Sequence, residues 1–394
     1  MCDVISQVAG DPALPESNRR QFLKVLGATA AAGGLVAAGV RPAAAAPGAG
    51  NGRGGRNGRT RLVLLGTGGG PTVLDAERYG ISTAVVYGDQ VYVVDLGLGS
   101  FLRLRQSSAS GEQGVASTFN RVRGIFFTHM HSDHLMDWPS AWATGPMNTI
   151  GRTGPKIEVF GPGDRGVLPR LNLRPGQPEP PVYNPERPAP GITGMTDYLR
   201  QAWANDFNDR ARDSGFAGPD SLFHVQDIAT PWAPDALGTP PLLEAPIQVW
   251  EDGDVTVTAT LVDHHPTAPA FGFRFDTPDG SVTISGDTTV SQNLINLAQG
   301  TDYLVHEVID PAFVDRLVAT LPPAAGAALK AHLLEAHTTI EQVGRDVAEP
   351  AGAKNLVLTH LVPGNSPKRT WQQAQRGYSG RLVVGEDLME LRVG

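Results

Sequence analysis

Short apolar runs recur along this chain, each closed by glycine, proline or aspartate, and such runs read as buried strands. The first spans residues 61–66, and two more follow at 82–87 and 91–95, separated by Gly88-Asp89-Gln90, the pattern of a hairpin. Residues 102–107 begin a helix, 123–128 return to the sheet and 157–160 add a short strand. From 161 to about 245 proline is dense, with a helical candidate near 196–212. Strands resume at 247–250, 255–262, 271–275 and 281–285, the last two joined by the turn Thr277-Pro278-Asp279-Gly280. Helical stretches at 291–298 and 339–348 alternate with strands at 303–305 and 355–358, and the chain closes on runs at 381–384 and 388–393. Two successive halves, each with hairpins first and helices later, predict two packed sheets with helices outside.

Residues 1–46 are predicted to stand apart from that fold. Asn18-Arg19-Arg20-Gln21-Phe22-Leu23-Lys24 resembles the twin-arginine export motif, and a weakly apolar Ala/Gly stretch follows from 25 to 40. Ala43-Ala44-Ala45, or Ala44-Ala45-Ala46, offers small residues for cleavage. Gly27, Gly33, Gly34 and Gly39 make the stretch too weakly apolar for a membrane anchor, so no stable membrane insertion is expected after cleavage. Residues 47–60, rich in Gly, Arg and Asn, read as a flexible linker. The single cysteine, Cys2, lies upstream of the cleavage, so the mature protein would use neither disulfides nor thiolate ligands. The twin-arginine machinery, which carries folded proteins, is the partner this implies.

The densest chemistry lies at Thr128-His129-Met130-His131-Ser132-Asp133-His134, directly after the apolar run Gly124-Ile125-Phe126-Phe127. Three imidazoles and a carboxylate in six residues suit Zn²⁺ and similar first-row cations. Alternation puts His129 and His131 on one side, and the turn at Asp133-His134 aims the next pair at a neighbouring position, so one loop can serve two adjacent cations. Four later places end apolar runs with the same residue types: Asp263-His264-His265, Gly286-Asp287, His306-Glu307 and Thr359-His360.

With Leu64-Leu65-Gly66-Thr67-Gly68-Gly69-Gly70, this set resembles the metallo-β-lactamase-fold hydrolases, within them the branch of ribonuclease Z, arylsulfatase-like enzymes and small phosphodiesterases. The resemblance covers residues 61–394, and the His-x-His-x-Asp-His motif is its specific part. It implies an α/β fold, a four-layer αββα sandwich with two mixed β-sheets. It implies that His129, His131 and His264 hold one cation, that Asp133, His134 and His360 hold the other, and that Asp287 bridges them. His264 and His265 compete for one slot, and His264 is preferred. The cofactor implied is two Zn²⁺ per chain, with Mn²⁺ or Fe²⁺ as alternatives, and a hydroxide held between them, oriented by Asp133, is the implied nucleophile. His337 is the implied general acid and Glu307 its partner. Asp95 is either a carboxylate holding a ligand histidine or a strand-end turn residue. His306 reads as a buried strand-end residue, and His224 and His332, without motif context, as hydrogen-bonded core residues. The Gly-rich loop lacks the lysine and hydroxyl of a phosphate-binding P-loop and reads as a tight turn near the cleft.

Charge bears on the substrate. The whole chain has a net charge of −8, and residues 47–394 hold 28 basic against 37 acidic side chains, net −9, a poor match for polyanions. In the ribonuclease Z branch a tRNA-binding arm is inserted after the first histidine cluster; the corresponding stretch 163–250 has 7 basic and 11 acidic residues. Trp203, Trp232 and Phe223 within it suggest a lid over a small, partly apolar molecule. The expectation is therefore an exported dinuclear-zinc hydrolase of a small ester, an aryl sulfate or phosphodiester, with no nucleic-acid partner and a homodimer left open. A ribonuclease Z-like endonuclease, a lactonase and a non-catalytic metal- or ligand-binding module are the alternatives.

Overall fold

The computed structural model describes residues 59–171 and 178–394. The export motif, Cys2 and nearly all of the linker lie outside them. One seven-stranded sheet contains β1 (Thr60–Gly66), β2 (Ser82–Tyr87), β3 (Gln90–Val94), β4 (Val122–Phe126), β5 (Ile157–Pro162), β6 (Phe223–Ile228) and β14 (Glu390–Arg392). Its order is β14-β1-β2-β3-β4-β5-β6. The other contains β7 (Ile247–Asp252), β8 (Val255–Leu261), β9 (Phe271–Thr277), β10 (Gly280–Ile284), β11 (Tyr303–Ile309), β12 (Asn355–Val362) and β13 (Arg381–Val384), in the order β13-β12-β11-β10-β9-β8-β7. Both sheets are mixed: β1–β3 and β7–β10 pair antiparallel, whereas β3–β6 and β10–β13 pair parallel.

The period of two in β1 explains the layering. Leu62 and Leu64 face the core between the sheets, against Val257, Phe273 and Phe275, while Val63 and Leu65 face a second core on the outer side. That outer core is closed by Leu104, Trp138 and Trp142, from helices Ser100–Gln106 and Trp138–Thr144. A third core, with Leu294, Val343 and Trp371, covers the far side of the second sheet. Strands buried on both faces read as continuous apolar runs, which is why the sequence shows them clearly. The predicted αββα sandwich is therefore the fold observed.

Three expectations need correction. The stretch 163–250 is largely built into the fold. Its residues Phe223–Ile228 form β6, paired parallel with β5, and Phe223 is fully embedded in the outer core. The predicted helix near 196–212 is two helices, Ile192–Ala202 and Ala204–Ser214, whose Met195, Leu199 and Phe207 pack on that same core. Trp232 packs against the inter-sheet core and Trp203 is exposed, so the three aromatics form no common lid. Second, His224 and His332 are exposed, not core; His224 pairs with Glu158 at 2.7 Å. Third, helices Pro311–Val318 and Pro323–Ala336 follow β11 where no element was predicted.

Candidate metal centre

Most polar residues at the centre stand just past the end of a strand or in a break within one; Asp133 and His134 lie on the short helix Ser132–Leu135, and His337 follows helix Pro323–Ala336. In open α/β sheets that edge is where ligands gather, because the ladder stops and side chains from neighbouring strands converge. Asp95 follows β3, the segment 128–134, which runs into the helix Ser132–Leu135, follows β4, His264 follows β8 and Asp287 follows β10. Phe271 N–H donates to the Thr128 carbonyl at 2.8 Å and so ties the two sheets at the cleft.

Two of these positions require unusual backbone. In the β11–β12 ladder Glu307 faces Thr359 and Val308 faces Leu361, so His360 is an unpaired bulge residue with φ 44°. A bulge re-aims a side chain, and here it turns His360 toward Asp133 and Asp287. Gly286, at φ 62°, gives the turn that presents Asp287; a Cβ there would lie 2.6 Å from the Phe271 carbonyl oxygen.

The side chains form two adjoining groups. Asp133, His134, Asp287 and His360 bring their ligand atoms within 4.8 Å of one another, as do His129, His131 and His264. In the first group Asp287 Oδ2 lies 3.3 Å from His134 Nε2 and 3.4 Å from His360 Nε2, and Asp133 Oδ2 lies 3.3 Å from His360 Nε2. In the second, His264 Nε2 lies 3.2 Å from His131 Nδ1. Asp287 Oδ2 is 3.9 Å from the Nε2 atoms of both His129 and His264, which makes it the carboxylate common to the two groups. His265 turns instead to Asp263, at 2.8 Å, and is half-buried, so His264 is the histidine in the cluster.

This donor set fits divalent cations. Ligands about 2.1 Å from a tetrahedral cation stand about 3.4 Å apart, close to the spacing observed around Asp287. Buried His129 Nε2 and Asp287 Oδ1 have no hydrogen-bond partner among the described residues, a cost that a cation would remove.

Hydrogen bonds from the surroundings fix the rings. His134 Nδ1 meets Asp95 Oδ2 at 2.7 Å, and His264 Nδ1 donates to the Ala336 carbonyl at 2.8 Å; each turns Nε2 into the cleft, where it is the lone-pair nitrogen of the neutral ring. Thr128 donates from N and Oγ1 to Asp95, both at 2.8 Å, and Thr267 Oγ1 meets His131 Nε2 at 2.7 Å. Asp95 is therefore both the strand-end turn, at φ 59°, and the carboxylate behind a ring. Thr128, Thr267 and the Ala336 carbonyl were not singled out from the sequence; only Thr128 carried a signal, its place at the head of the motif. Asp95→Asn separates charge from backbone, since asparagine also tolerates positive φ. It is expected to weaken metal affinity by about 10- to 100-fold in chelator competition, with the fold retained.

Electrostatics follow the grouping. Burial and the crowding of other rings push His129 well below the ordinary imidazole range, and burial also holds His264 far down and takes His131 to about 4. These rings are neutral at pH 7, the form that binds a cation. Burial opposes charge at Asp133 and Asp287 too, but the facing histidines outweigh it and keep both carboxylates ionised. His134 is buried yet held well above its usual value by Asp287, Asp95 and Asp133, so a cation binding there displaces a proton.

The Gly-rich loop closes one side of the cleft. Gly70 N–H donates to Asp133 Oδ2 at 3.2 Å, and a Cβ at Gly70 would come within 2.5 Å of Asp133 Cβ. A Cβ at Gly69 would lie 2.9 Å from His360 Nδ1, so this run is glycine because the backbone passes against the site. On another flank His337 Nδ1 lies 3.2 Å from Glu307 Oε1, which also accepts from the N–H groups of Thr288 and Thr338 at 3.2 and 3.0 Å. His306 is fully buried within β11, as expected, and its Nδ1 donates to the Glu307 carbonyl.

The model of the metallo-beta-lactamase superfamily matches residues 76–325. The chain belongs to that superfamily. Ribonuclease Z of Mycolicibacterium paratuberculosis is 28% identical over 335 residues, covering 84% of this chain and 98% of its own. Ribonuclease Z of Mycobacterium sp. (strain KMS) is 29% identical, covering 84% and 95%. Among solved structures, the short form of human tRNase Z superposes with a TM-score of 0.54 at 19% identity, over 85% of this chain and 99% of that one. The metallo-beta-lactamase fold protein YhfI of Bacillus subtilis gives 0.52 at 15% identity, over 84% and 98%. Membership of the superfamily, in its ribonuclease Z branch, makes the chain a metal-dependent hydrolase of ester bonds. The model of the twin-arginine translocation signal matches residues 16–36, so this metallo-beta-lactamase-superfamily protein carries an export signal. Among the described residues no helix is long and apolar enough to cross a membrane.

Proposed function

We propose that the protein, once its first 46 or so residues are removed, is an exported dinuclear hydrolase of small esters, with zinc the first metal to test and aryl sulfates and phosphodiesters the first substrates. The observation that carries this reading is the single carboxylate, Asp287, within 3.9 Å of ring nitrogens in both ligand groups. His129, His131 and His264 would hold one cation, Asp133, His134 and His360 the other, with Asp287 shared. When bound, such a pair supplies Lewis acidity and lowers the pKa of coordinated water from about 15.7 to about 7.

The chain's own groups do the rest. Asp133, anchored by Gly70 N–H, orients the attacking water. His134 and His264 are held in one tautomer by Asp95 and Ala336. Glu307 engages His337 Nδ1, leaving Nε2 to carry a proton to the departing oxygen. No serine or cysteine nucleophile is required.

A second reading, a ribonuclease Z-like endonuclease, is favoured by the near full-length match to enzymes of that name. The net charge of −9 over residues 47–394 and the acidic balance of 163–250 weigh against a polyanion. A lactone remains chemically open to the same attack. The test is turnover of chromogenic sulfate, phosphodiester and lactone panels, alongside a 3′-extended tRNA, by protein of measured metal content. Chelator-sensitive turnover of a small ester, abolished on metal removal and restored on reloading, is expected. Cleavage of the tRNA alone would favour the second reading, and inactivity on every substrate would contradict both.

A further inference from the structure

A cavity of about 200 Å³ opens beside Asp133. The segment that follows the Gly-rich loop forms much of its wall, together with residues from the turn after β3 and the turn after His134. Four large apolar side chains stand exposed around it: Val73 at 65%, Leu74 at 44%, Leu98 at 50% and Met136 at 48%. Single exposed hydrophobics are ordinary, but several lining one concavity mark a place where apolar surface is covered in use.

The polar groups of this cavity point to the same occupant. Among the described residues that line it, Arg78 is the only arginine or lysine. Its guanidinium donates to Thr67 Oγ1 at 2.6 Å and the Gly385 carbonyl at 3.0 Å, and it lies 3.9 Å from Asp75. It is therefore occupied in bracing the loop, and among the described residues the cavity offers no free cation for a run of phosphates. Size narrows the class further. An apolar cavity of about 150 Å³ holds a benzene ring, so about 200 Å³ suits one substituted ring and falls short of a nucleotide chain.

Resting on the proposed ester hydrolysis at the adjoining centre, we infer that this cavity receives the apolar group of the substrate, a single aryl ring or a branched alkyl group of similar volume. The site thereby selects an uncharged, ring-sized ester substituent, and Val73, Leu98 and Met136 set its size limit.

The experiment pairs two esters with the same reacting centre, one phenyl and one methyl, on wild-type protein, Leu98→Trp and Val73→Trp, with metal content measured in each. Both variants place bulk in an exposed wall away from the ligand groups. The expected result is a loss of about 10- to 100-fold in kcat/KM on the phenyl ester with the methyl ester little changed and metal content intact. Equal losses on both esters would overturn the inference. Binding of 4-nitrophenol, followed by equilibrium dialysis, keeps the pocket separate from the chemistry. If no ester is turned over, saturable binding to wild type that both variants abolish still supports the cavity's role. Absence of such binding in wild type, or undiminished binding in the variants, overturns it.

Discussion

Asp287→Asn is expected to strip the protein of at least one of two bound metals and to lower kcat/KM by about 10³-fold, equivalent to about 4 kcal/mol of transition-state stabilisation. The substitution preserves shape but removes the one charge that both ligand groups share. Asp287 is almost wholly buried, and its Oδ2 lies 3.3 to 3.9 Å from Nε2 of four histidines. An amide there turns a neutralising acceptor into a group whose NH₂ faces lone pairs or cations, in a buried place. Elemental analysis together with the circular dichroism of the metal-free variant distinguishes lost metal from lost fold. Two metals per chain and near wild-type turnover in Asp287→Asn would remove this residue from its bridging role.

The second large effect is conditional on the leaving group. His337→Ala should slow esters of poor, alkoxide-like leaving groups by about 10²- to 10⁴-fold while leaving activated aryl esters almost unaffected, because an acidic phenol departs without a proton. Burial disfavours charge on this ring, but Glu307 and, behind it, Asp287 and Asp133 outweigh burial and raise its pKa to about 9. A group that must be protonated to act loses its effect as pH rises through its pKa. The alkyl-ester rate of wild type should therefore fall on the alkaline side, at or below about 9, since neighbouring divalent charge moves the pKa down. The aryl-ester rate should lack that limb. Equal slowing of both ester types by His337→Ala would assign the ring to positioning.

The first histidine loop was legible because it is local. His129, His131, Asp133 and His134 sit within six residues, and the apolar run before them shows that they end a strand. Asp287 and His360 were legible only as polar groups closing apolar runs, because what aims them is backbone: a glycine at φ 62° and a bulge in β12 that periodicity does not mark. His264 and His265 were separable only by structure, since the choice depends on a carbonyl 72 residues away, Ala336 O. That carbonyl ends helix Pro323–Ala336, an alanine-rich segment with no polar stripe to reveal a helical period. β6 escaped because an edge strand with His224, Gln226 and Asp227 in a proline-dense region has the composition of a loop. Aromatic residues in that region suggested a lid, yet Phe223 and Trp232 serve the cores, and the concavity beside the centre is walled by residues near the Gly-rich loop instead.

The most direct test of the paired centre is anomalous diffraction from crystals of the zinc-loaded protein. Two peaks about 3.5–4 Å apart are predicted, one among His129, His131 and His264, the other among Asp133, His134 and His360, with Asp287 touching both. A single peak, or peaks seated away from Asp287, would contradict it.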